Sequence, residues 1–387
     1  MSGAARAGAG PWILAAVLSG GLLASAVEAL AQHVSCEAAR TVSGADGLCA
    51  NDEFISGAPT ALPRRPVATY SIVARDPETG ELGVAVQSHW FSVGPIVPWA
   101  EAGVGAVATQ SFVDPSYGPM GLELMRLGKP APEALKGLLA ADEHPEVRQV
   151  AMIDAEGRVA AHTGENAIIA AGHHMGENYS VQANLMEKPS VWPAMARAFE
   201  STDGDLAERM MAALEAAQAE AGDIRGKQSA ALLVVSGEPT GKPWVDRVFD
   251  LRIEDHPEPI VELRRLLTLA RAYRDMNAGD EAMTENDVPA AVLHYNAAAE
   301  RVPENAEMVY WAAVTLAGVG RVDEALPRFE KAFAADPRWA VLTPRLPASE
   351  LLPSDPALLR RILGVPGGEP GMAEWRRLAE EGEVPPP

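Results

Sequence analysis

Residues 69–88, TYSIVARDPETGELGVAVQS, combine two runs of β-forming residues with one turn. Thr, Tyr, Ile and Val dominate the first run, and Leu82, Val84 and Val86 alternate with other residues in the second. The intervening Pro77–Gly80 segment, PETG, consists of turn formers. Two such runs joined by a short turn are typical of a β-hairpin. The sequence around this hairpin is therefore expected to form antiparallel sheet.

Similar patterns continue downstream and predict a fold with grouped strands and grouped helices. Hairpins recur, and helical stretches come in pairs, which favours an α+β fold over alternating βα units. The predicted helices cover residues 121–127, 132–141, 192–200 and 206–221. The predicted strands cover residues 104–111, 149–154, 158–163, 179–185 and 228–235, and a segment at 244–253 closes the region.

The chain becomes helical from about residue 258, and a repeat appears there. Val288–Pro303 matches Val322–Pro337 at a shift of 34 residues, and a helix with Trp311 lies between the two copies. A helix–turn–helix period of this length is the tetratricopeptide signature. We therefore expect a tetratricopeptide-like domain at residues 258–345, followed by a Pro- and Glu-rich tail at 346–387.

The first 31 residues are typical of a secretory signal peptide. Arg6 precedes an apolar run at residues 12–23, and small-x-small cleavage sites follow. A membrane anchor is the alternative, but the apolar run is shorter than the roughly 20 residues that a span needs. We therefore expect export to the periplasm or the cell exterior, with residues 32–68 as a linker or pro-segment.

The cysteine content agrees with export. Cys36 and Cys49 are the two cysteines of the sequence, and both follow the predicted signal closely. In an exported chain such a pair predicts a disulfide. Two unrelated free thiols are the alternative.

Charge and motifs exclude several classes of function. The net charge of −21 disfavours nucleic acid and anionic membranes as partners. The sequence has no Gly-x-Ser-x-Gly elbow, no phosphate loop and no His-Glu-x-x-His motif. The adjacent His173 and His174 would point to opposite faces of a strand. We therefore expect neither a cofactor nor a metal site.

A set of polar residues is embedded in the apolar strands or at their ends. Because buried polar side chains need partners, these residues either satisfy one another or line a substrate site. The set comprises Thr69, Ser71, Ser88, Thr109, Gln110, Ser111, Gln182, Asn184, Asp223, Arg225, Gln228 and Ser229.

Several long strings carry a resemblance to a known family. TYSIVARDPETGELGVAVQS, GVGAVATQSFVDPSYGP, YSVQANLM and GDIRGKQSAALLVV resemble the family called domain of unknown function 1028, and the likeness extends over residues 69–267. That family is placed among the N-terminal-nucleophile (Ntn) hydrolases. The resemblance implies a four-layer αββα sandwich at residues 69–257.

The same resemblance implies a mechanism. Thr69 matches the position of the superfamily nucleophile, whose own α-amine serves as the base. Asn184 is then expected as an oxyanion donor, and Asp223, Arg225 and Ser229 as residues that orient the substrate or the amine. Thr69 is internal in this sequence, so this chemistry requires cleavage of the Ala68–Thr69 bond.

Two functions remain open at this point. The first is an amide-bond hydrolase acting on small amides or peptide fragments. The second is a non-catalytic binding or scaffold protein that uses the same fold, with the helical repeats or the cleft of the sandwich holding a partner. The N-terminus of the mature protein distinguishes them.

Overall fold

A computed structural model describes Val67 and Thr69–Pro386. Within these residues the chain forms two antiparallel sheets and a helical C-terminal part, which confirms the predicted α+β class. The predicted signal peptide, the Cys36–Cys49 pair and the linker apart from Val67 lie outside the described residues.

The elements follow the order strands, helices, strands, and then a run of helices. The strands are β1 Thr69–Arg75, β2 Leu82–Ser88, β3 Pro98–Glu101, β4 Gly105–Ser111, β5 Arg148–Asp154, β6 Val159–Thr163, β7 Gly172–Gly176, β8 Tyr179–Asn184, β9 Ser229–Val235 and β10 Arg247–Ile253. The helices are α1 Tyr117–Arg126, α2 Ala131–Ala141, α3 Val191–Ser201, α4 Leu206–Ala219, α5 Pro243–Asp246, α6 Pro259–Thr284, α7 Val288–Arg301, α8 Ala306–Gly318, α9 Val322–Ala335, α10 Arg338–Leu342, α11 Pro356–Leu363 and α12 Glu369–Glu380. Short 3-10 turns occupy Pro145–Val147 and Thr343–Ser349.

The predicted hairpin is formed by β1 and β2. Thr69 pairs with Ser88 at the open end, and Arg75 pairs with Leu82 next to the turn. Asp76 stabilises the turn, because its Oδ1 accepts the backbone N–H groups of residues 78 and 79 at 2.8 and 3.0 Å. Gly80 has a φ of +74°, a conformation that costs glycine little.

The two sheets face each other across an apolar interior. The larger sheet has the strand order β10-β9-β2-β1-β8-β7, and the smaller one has the order β3-β4-β5-β6. Val73 and Val84 of the larger sheet and Ala108 and Ile153 of the smaller one belong to one buried cluster. Alternate residues of each strand therefore point into the space between the sheets.

Helices cover the other face of each sheet. Ile72 and Leu232 of the larger sheet pack in one cluster with Met210 of α4, and α3 and the first part of α6 add to it. On the smaller sheet, Met152 packs with Leu135 of α2, and α1 joins the same cluster. Each sheet thus has one face against a sheet and one against helices.

The C-terminal helices have a core of their own. The matched repeat positions Ala291 and Ala325, Tyr295 and Phe329, and Ala298 and Ala332 are all buried. The region after residue 345 contributes α11 and α12, and Trp375 of α12 joins the cluster around Phe329. Across the described part of the chain, no helix combines the length and the apolar character that crossing a membrane requires.

Candidate functional site

Thr69 lies at the first position of β1, between two strands. It pairs with Ser88 of β2 on one side and with Asn184 of β8 on the other. Its side chain is fully buried, and Oγ1 donates to the Val67 carbonyl oxygen at 2.9 Å. The same Oγ1 lies 3.2 Å from Ser88 Oγ.

The chain that leads into Thr69 is paired with the smaller sheet. The Val67 N–H donates to the Ser111 carbonyl at 2.7 Å, and the Ser111 N–H donates to the Val67 carbonyl at 3.0 Å. Ser111 ends β4 with a φ of +69°. Thr69 therefore lies where the ends of the two sheets meet, and Val67 lies beside it.

Amide side chains connect the two sheets behind Thr69. Ser71 Oγ donates to Gln110 Oε1 at 2.7 Å and accepts from Gln182 Nε2 at 2.6 Å. Gln110 Nε2 donates to Gln149 Oε1 at 2.7 Å, and Asn184 Nδ2 donates to the same oxygen at 3.0 Å. All five side chains are completely buried. We call these residues, Ser71, Gln110, Gln149, Gln182 and Asn184, the amide network.

Two buried oxygen atoms close to Thr69 have no hydrogen-bond partner. They are Asn184 Oδ1 and Ser111 Oγ. The orientation of the Asn184 amide is fixed by Gln149, because Gln149 Nε2 donates to the carbonyl oxygens of Gly172 and Ala183 and so presents its Oε1 to Asn184. Unpaired buried polar atoms are rare and require an explanation. At this position, a free acceptor and a free hydroxyl are available for further contacts.

A cavity of about 590 Å³ opens beside the two partners of Thr69. His89 follows Ser88 and Leu185 follows Asn184, and both line the cavity. Its other lining residues are Trp90, Phe91, Ile168, Arg225 and Gln228.

An ion pair with a buried carboxylate supports the rim of this cavity. Asp223 Oδ2 accepts the His89 backbone N–H at 3.1 Å and lies 2.9 Å from Arg225 Nη2. The Asp223 side chain is fully buried, whereas that of Arg225 is 28% exposed. Burial, and secondarily the Asp223 charge, raises the pKa of Tyr70 well above its ordinary value, so its hydroxyl stays neutral.

The structure brings most of the candidate residues together and separates two of them. Thr69, Ser88 and Ser111 lie with the amide network, and Asp223, Arg225 and Gln228 lie at the cavity. Thr109 is not part of this group, because its Oγ1 donates to the Asp114 carbonyl at 3.0 Å. Ser229 holds the loop after β2, since its Oγ donates to the Trp90 carbonyl and accepts from the Val93 N–H.

Four polar residues in or beside the amide network were not among the candidate site residues from the sequence, and neither were the cavity residues His89, Trp90, Phe91, Ile168 and Leu185. Gln149 is the centre of the amide network, and Ser180 Oγ donates to Gln182 Oε1 at 3.0 Å. Thr163 Oγ1 accepts from Gln149 Nε2 at 2.9 Å and lies 2.8 Å from His173 Nδ1. Burial, and then the neighbouring histidines, lowers the pKa of His173. Gln149 and Ser180 do carry the usual signal, a polar residue at an inward position of an apolar strand.

No metal site accompanies these residues in the described part of the chain. Within Val67 and Thr69–Pro386, no three His, Cys, Asp or Glu side chains gather in a way that could hold a metal ion. His173 and His174 are consecutive residues of β7, and only His173 reaches Thr163.

Comparisons with known proteins identify the family. No curated protein matches this sequence. A crystal structure of a Silicibacter pomeroyi protein of the DUF1028 family is 31% identical and covers 52% of this chain and 89% of its own, with a TM-score of 0.47. The profile of a family of unknown function, DUF1028, matches residues 69–263. The chain therefore belongs to the DUF1028 family.

Proposed function

We propose that this protein is an exported amide-bond hydrolase whose nucleophile is Thr69, released by cleavage of the Ala68–Thr69 bond. One observation carries the proposal. Thr69 begins a central strand between Ser88 and Asn184, and the residues that follow these two partners line a cavity. Thr69 is not among the lining residues, but a new N-terminus there would lie between two strands whose next residues line the cavity.

The proposed chemistry combines the α-amine that cleavage would create with groups that are already at this position. A free α-amine has an ordinary pKa of about 7.7–8.0 and can take the proton of the Thr69 hydroxyl near neutral pH. Asn184 Oδ1, which has no partner, offers an acceptor for the protonated amine. Asn184 Nδ2 donates one N–H to Gln149 Oε1, and its second N–H can donate to a developing oxyanion.

The surrounding fold supports this interpretation. Helices outside two facing sheets are the arrangement expected for an Ntn-type αββα sandwich. The buried repeat positions of α7 and α9 suit a tetratricopeptide-like domain behind it. Arg6 and the apolar run after it support export.

The cavity suits a small substrate. Its volume of about 590 Å³ is in the range of small-molecule sites. Trp90 and Phe91 supply aromatic surface, and Arg225 and Gln228 supply donors. We expect a small amide or a short peptide fragment whose polar end reaches Arg225.

The test compares a protein that begins at Thr69 with the same protein carrying one additional residue before it. Hydrolysis of a library of small amides should occur with the first protein and be absent with the second. Thr69→Ala should abolish hydrolysis and Thr69→Ser should retain part of it, because serine keeps both the hydroxyl and the amine. Thr109→Ala is the matched control. It removes the same hydroxyl from a threonine of β4 whose Oγ1 donates to the Asp114 carbonyl and does not contact Thr69 or the amide network. Equal activity of the first two proteins would rule out the amine as base.

A non-catalytic binding or scaffold protein is the second candidate. Two observations favour it. The side chains of the amide network form hydrogen bonds with one another, and the Thr69 hydroxyl already donates to the Val67 carbonyl. N-terminal sequencing of the native protein distinguishes the two functions. A terminus at Thr69 supports the hydrolase, whereas a terminus at Val27 or Gln32 supports the scaffold.

A further inference from the structure

A second cavity lies in the C-terminal helical region, on different elements from the Thr69 site. Its volume is about 870 Å³, and residues of α6, α8 and the segment 347–354 line it together with Tyr295 of α7. Met276, Met308 and Val314 supply buried apolar surface. The size is in the range of small-molecule binding sites. Nothing in the proposed hydrolase chemistry uses this cavity.

The ionisable groups of this cavity all carry the same sign of charge. Asp280, Glu307 and Glu350 line it, and none of the described lining residues is Lys, Arg or His. The described part of the chain contains many ion pairs, but none of them includes these three carboxylates. Three carboxylates around one concave surface create a negative potential that a cation would relieve.

Two of these carboxylates are held in position by tyrosines. Tyr273 Oη donates to Glu307 Oε2 at 2.6 Å, and Tyr295 Oη donates to Asp280 Oδ1. The Glu307 hydrogen bond, with burial second, raises the pKa of Tyr273, and burial followed by the Asp280 hydrogen bond raises that of Tyr295. Both hydroxyls therefore remain donors. Each carboxylate keeps its other oxygen available for a ligand.

An aromatic surface completes the cavity. Trp311 lines it from α8 and packs edge-on against Tyr310, with 5.2 Å between ring centroids. Tyr273 lines it from α6 and is 41% exposed. Aromatic faces attract ammonium groups, most strongly for tryptophan. Carboxylates beside aromatic rings are the combination that recognises an organic ammonium ion.

We propose that this cavity binds an organic ammonium group, carried either by a free polyamine or by a lysyl side chain. Glu307 and Asp280 accept the N–H donors, and Trp311 covers the methylene and ammonium groups next to them. The site is independent of Thr69, because the cavity of that residue is lined by residues between positions 89 and 228.

Isothermal titration calorimetry on the full chain tests the proposal with two probes. Spermidine represents the free polyamine, and Nα-acetyl-lysine amide represents the lysyl side chain. Nα-acetyl-norleucine amide is the neutral analogue of the second probe. Glu307→Gln and Asp280→Asn remove the charge but keep an acceptor for Tyr273 and Tyr295. We expect each to weaken binding of the amine at least 10-fold, and Trp311→Leu to weaken it as well.

Glu330→Gln is the matched control, because it removes one exposed carboxylate of α9 that does not line the cavity. It should leave binding unchanged, and unaltered circular dichroism should show that every variant is folded. Saturable binding of spermidine alone identifies the free polyamine as ligand, and binding of the lysine derivative alone identifies the side chain. The proposal is overturned if neither amine binds at millimolar concentration. It is also overturned if norleucine amide binds equally well, or if Glu330→Gln weakens binding as much as Glu307→Gln does.

Discussion

Gln149 is the residue whose replacement tests the amide network most directly. Its Oε1 accepts from Gln110 at 2.7 Å and from Asn184 at 3.0 Å. Its Nε2 donates to Thr163 Oγ1 at 2.9 Å, to the Ala183 carbonyl at 2.9 Å and to the Gly172 carbonyl at 3.2 Å. Gln149→Leu keeps a side chain of similar size and removes every one of these contacts.

The expected loss of stability follows from what the neighbours keep. Gln110 Nε2 retains longer contacts to the Thr69 and Gln182 carbonyls, at 3.4 and 3.5 Å. The Asn184 side chain retains no hydrogen bond, because its Oδ1 is unpaired and its Nδ2 donates only to Gln149. A buried polar group left without a partner costs about 1–3 kcal/mol. With one such group and several weakened ones, we expect Gln149→Leu to lower the free energy of unfolding by about 2–4 kcal/mol.

Urea denaturation measures this loss of stability. Two further variants show whether the loss comes from the hydrogen bonds of the network. Met152→Leu on the same strand faces the helices and should cost less than about 1.5 kcal/mol, as volume-conserving changes do. The double variant Gln110→Leu/Gln149→Leu should lose less than the sum of the single losses, by at least about 0.5 kcal/mol, because the two amides share a hydrogen bond. If the loss in the double variant equals the sum of the single losses, or if Gln149→Leu is as stable as the wild type, the network is not a source of stability.

Two other predictions concern pH and the helical core. Burial, and then His162 and His174, lowers the pKa of His173 below its ordinary value of 6.5, so its stabilising contribution is present above pH 6.5 and is lost as the pH falls through the folded pKa. Unfolding of His173→Gln at a series of pH values should therefore show a smaller loss of stability on acidification, whereas His174→Gln should change that loss less, because the His174 charge is the smallest of the three causes. Phe329→Ala should cost about 3–5 kcal/mol in urea denaturation, because the ring is fully buried beside Tyr310 and Phe333. Leu293→Ala, at a side chain that is 67% exposed, should stay within about 0.5 kcal/mol, and equal losses in the two variants would contradict the assignment of the core.

Much of the fold could be predicted from local pattern alone. The hairpin of β1 and β2 follows from its alternation and its PETG turn, and the 34-residue match led to the helices α7 and α9. Two strands escaped prediction. β3 is PWAE and β7 is GHHMG, and neither has apolar alternation, because each lies at the edge of its sheet with much of its surface accessible. Such strands are defined by the neighbour they pair with, and a local pattern carries no information about that neighbour.

The site shows the same division between local and long-range information. Period-two alternation correctly indicates that Gln182 and Asn184 share one face of β8, and the same rule applied to β4 separates Gln110 from Thr109. Alternation cannot predict that β1 pairs with β8, because the two strands are more than one hundred residues apart in the sequence. This pairing places Asn184 beside Thr69. This pairing matters for function as well as for fold. An amide whose Nδ2 is anchored by Gln149, and whose Oδ1 stays unpaired next to the first residue of a central strand, has a spare acceptor where a new α-amine would form. The proposed hydrolase has a role for that acceptor, and the binding-protein alternative gives it none.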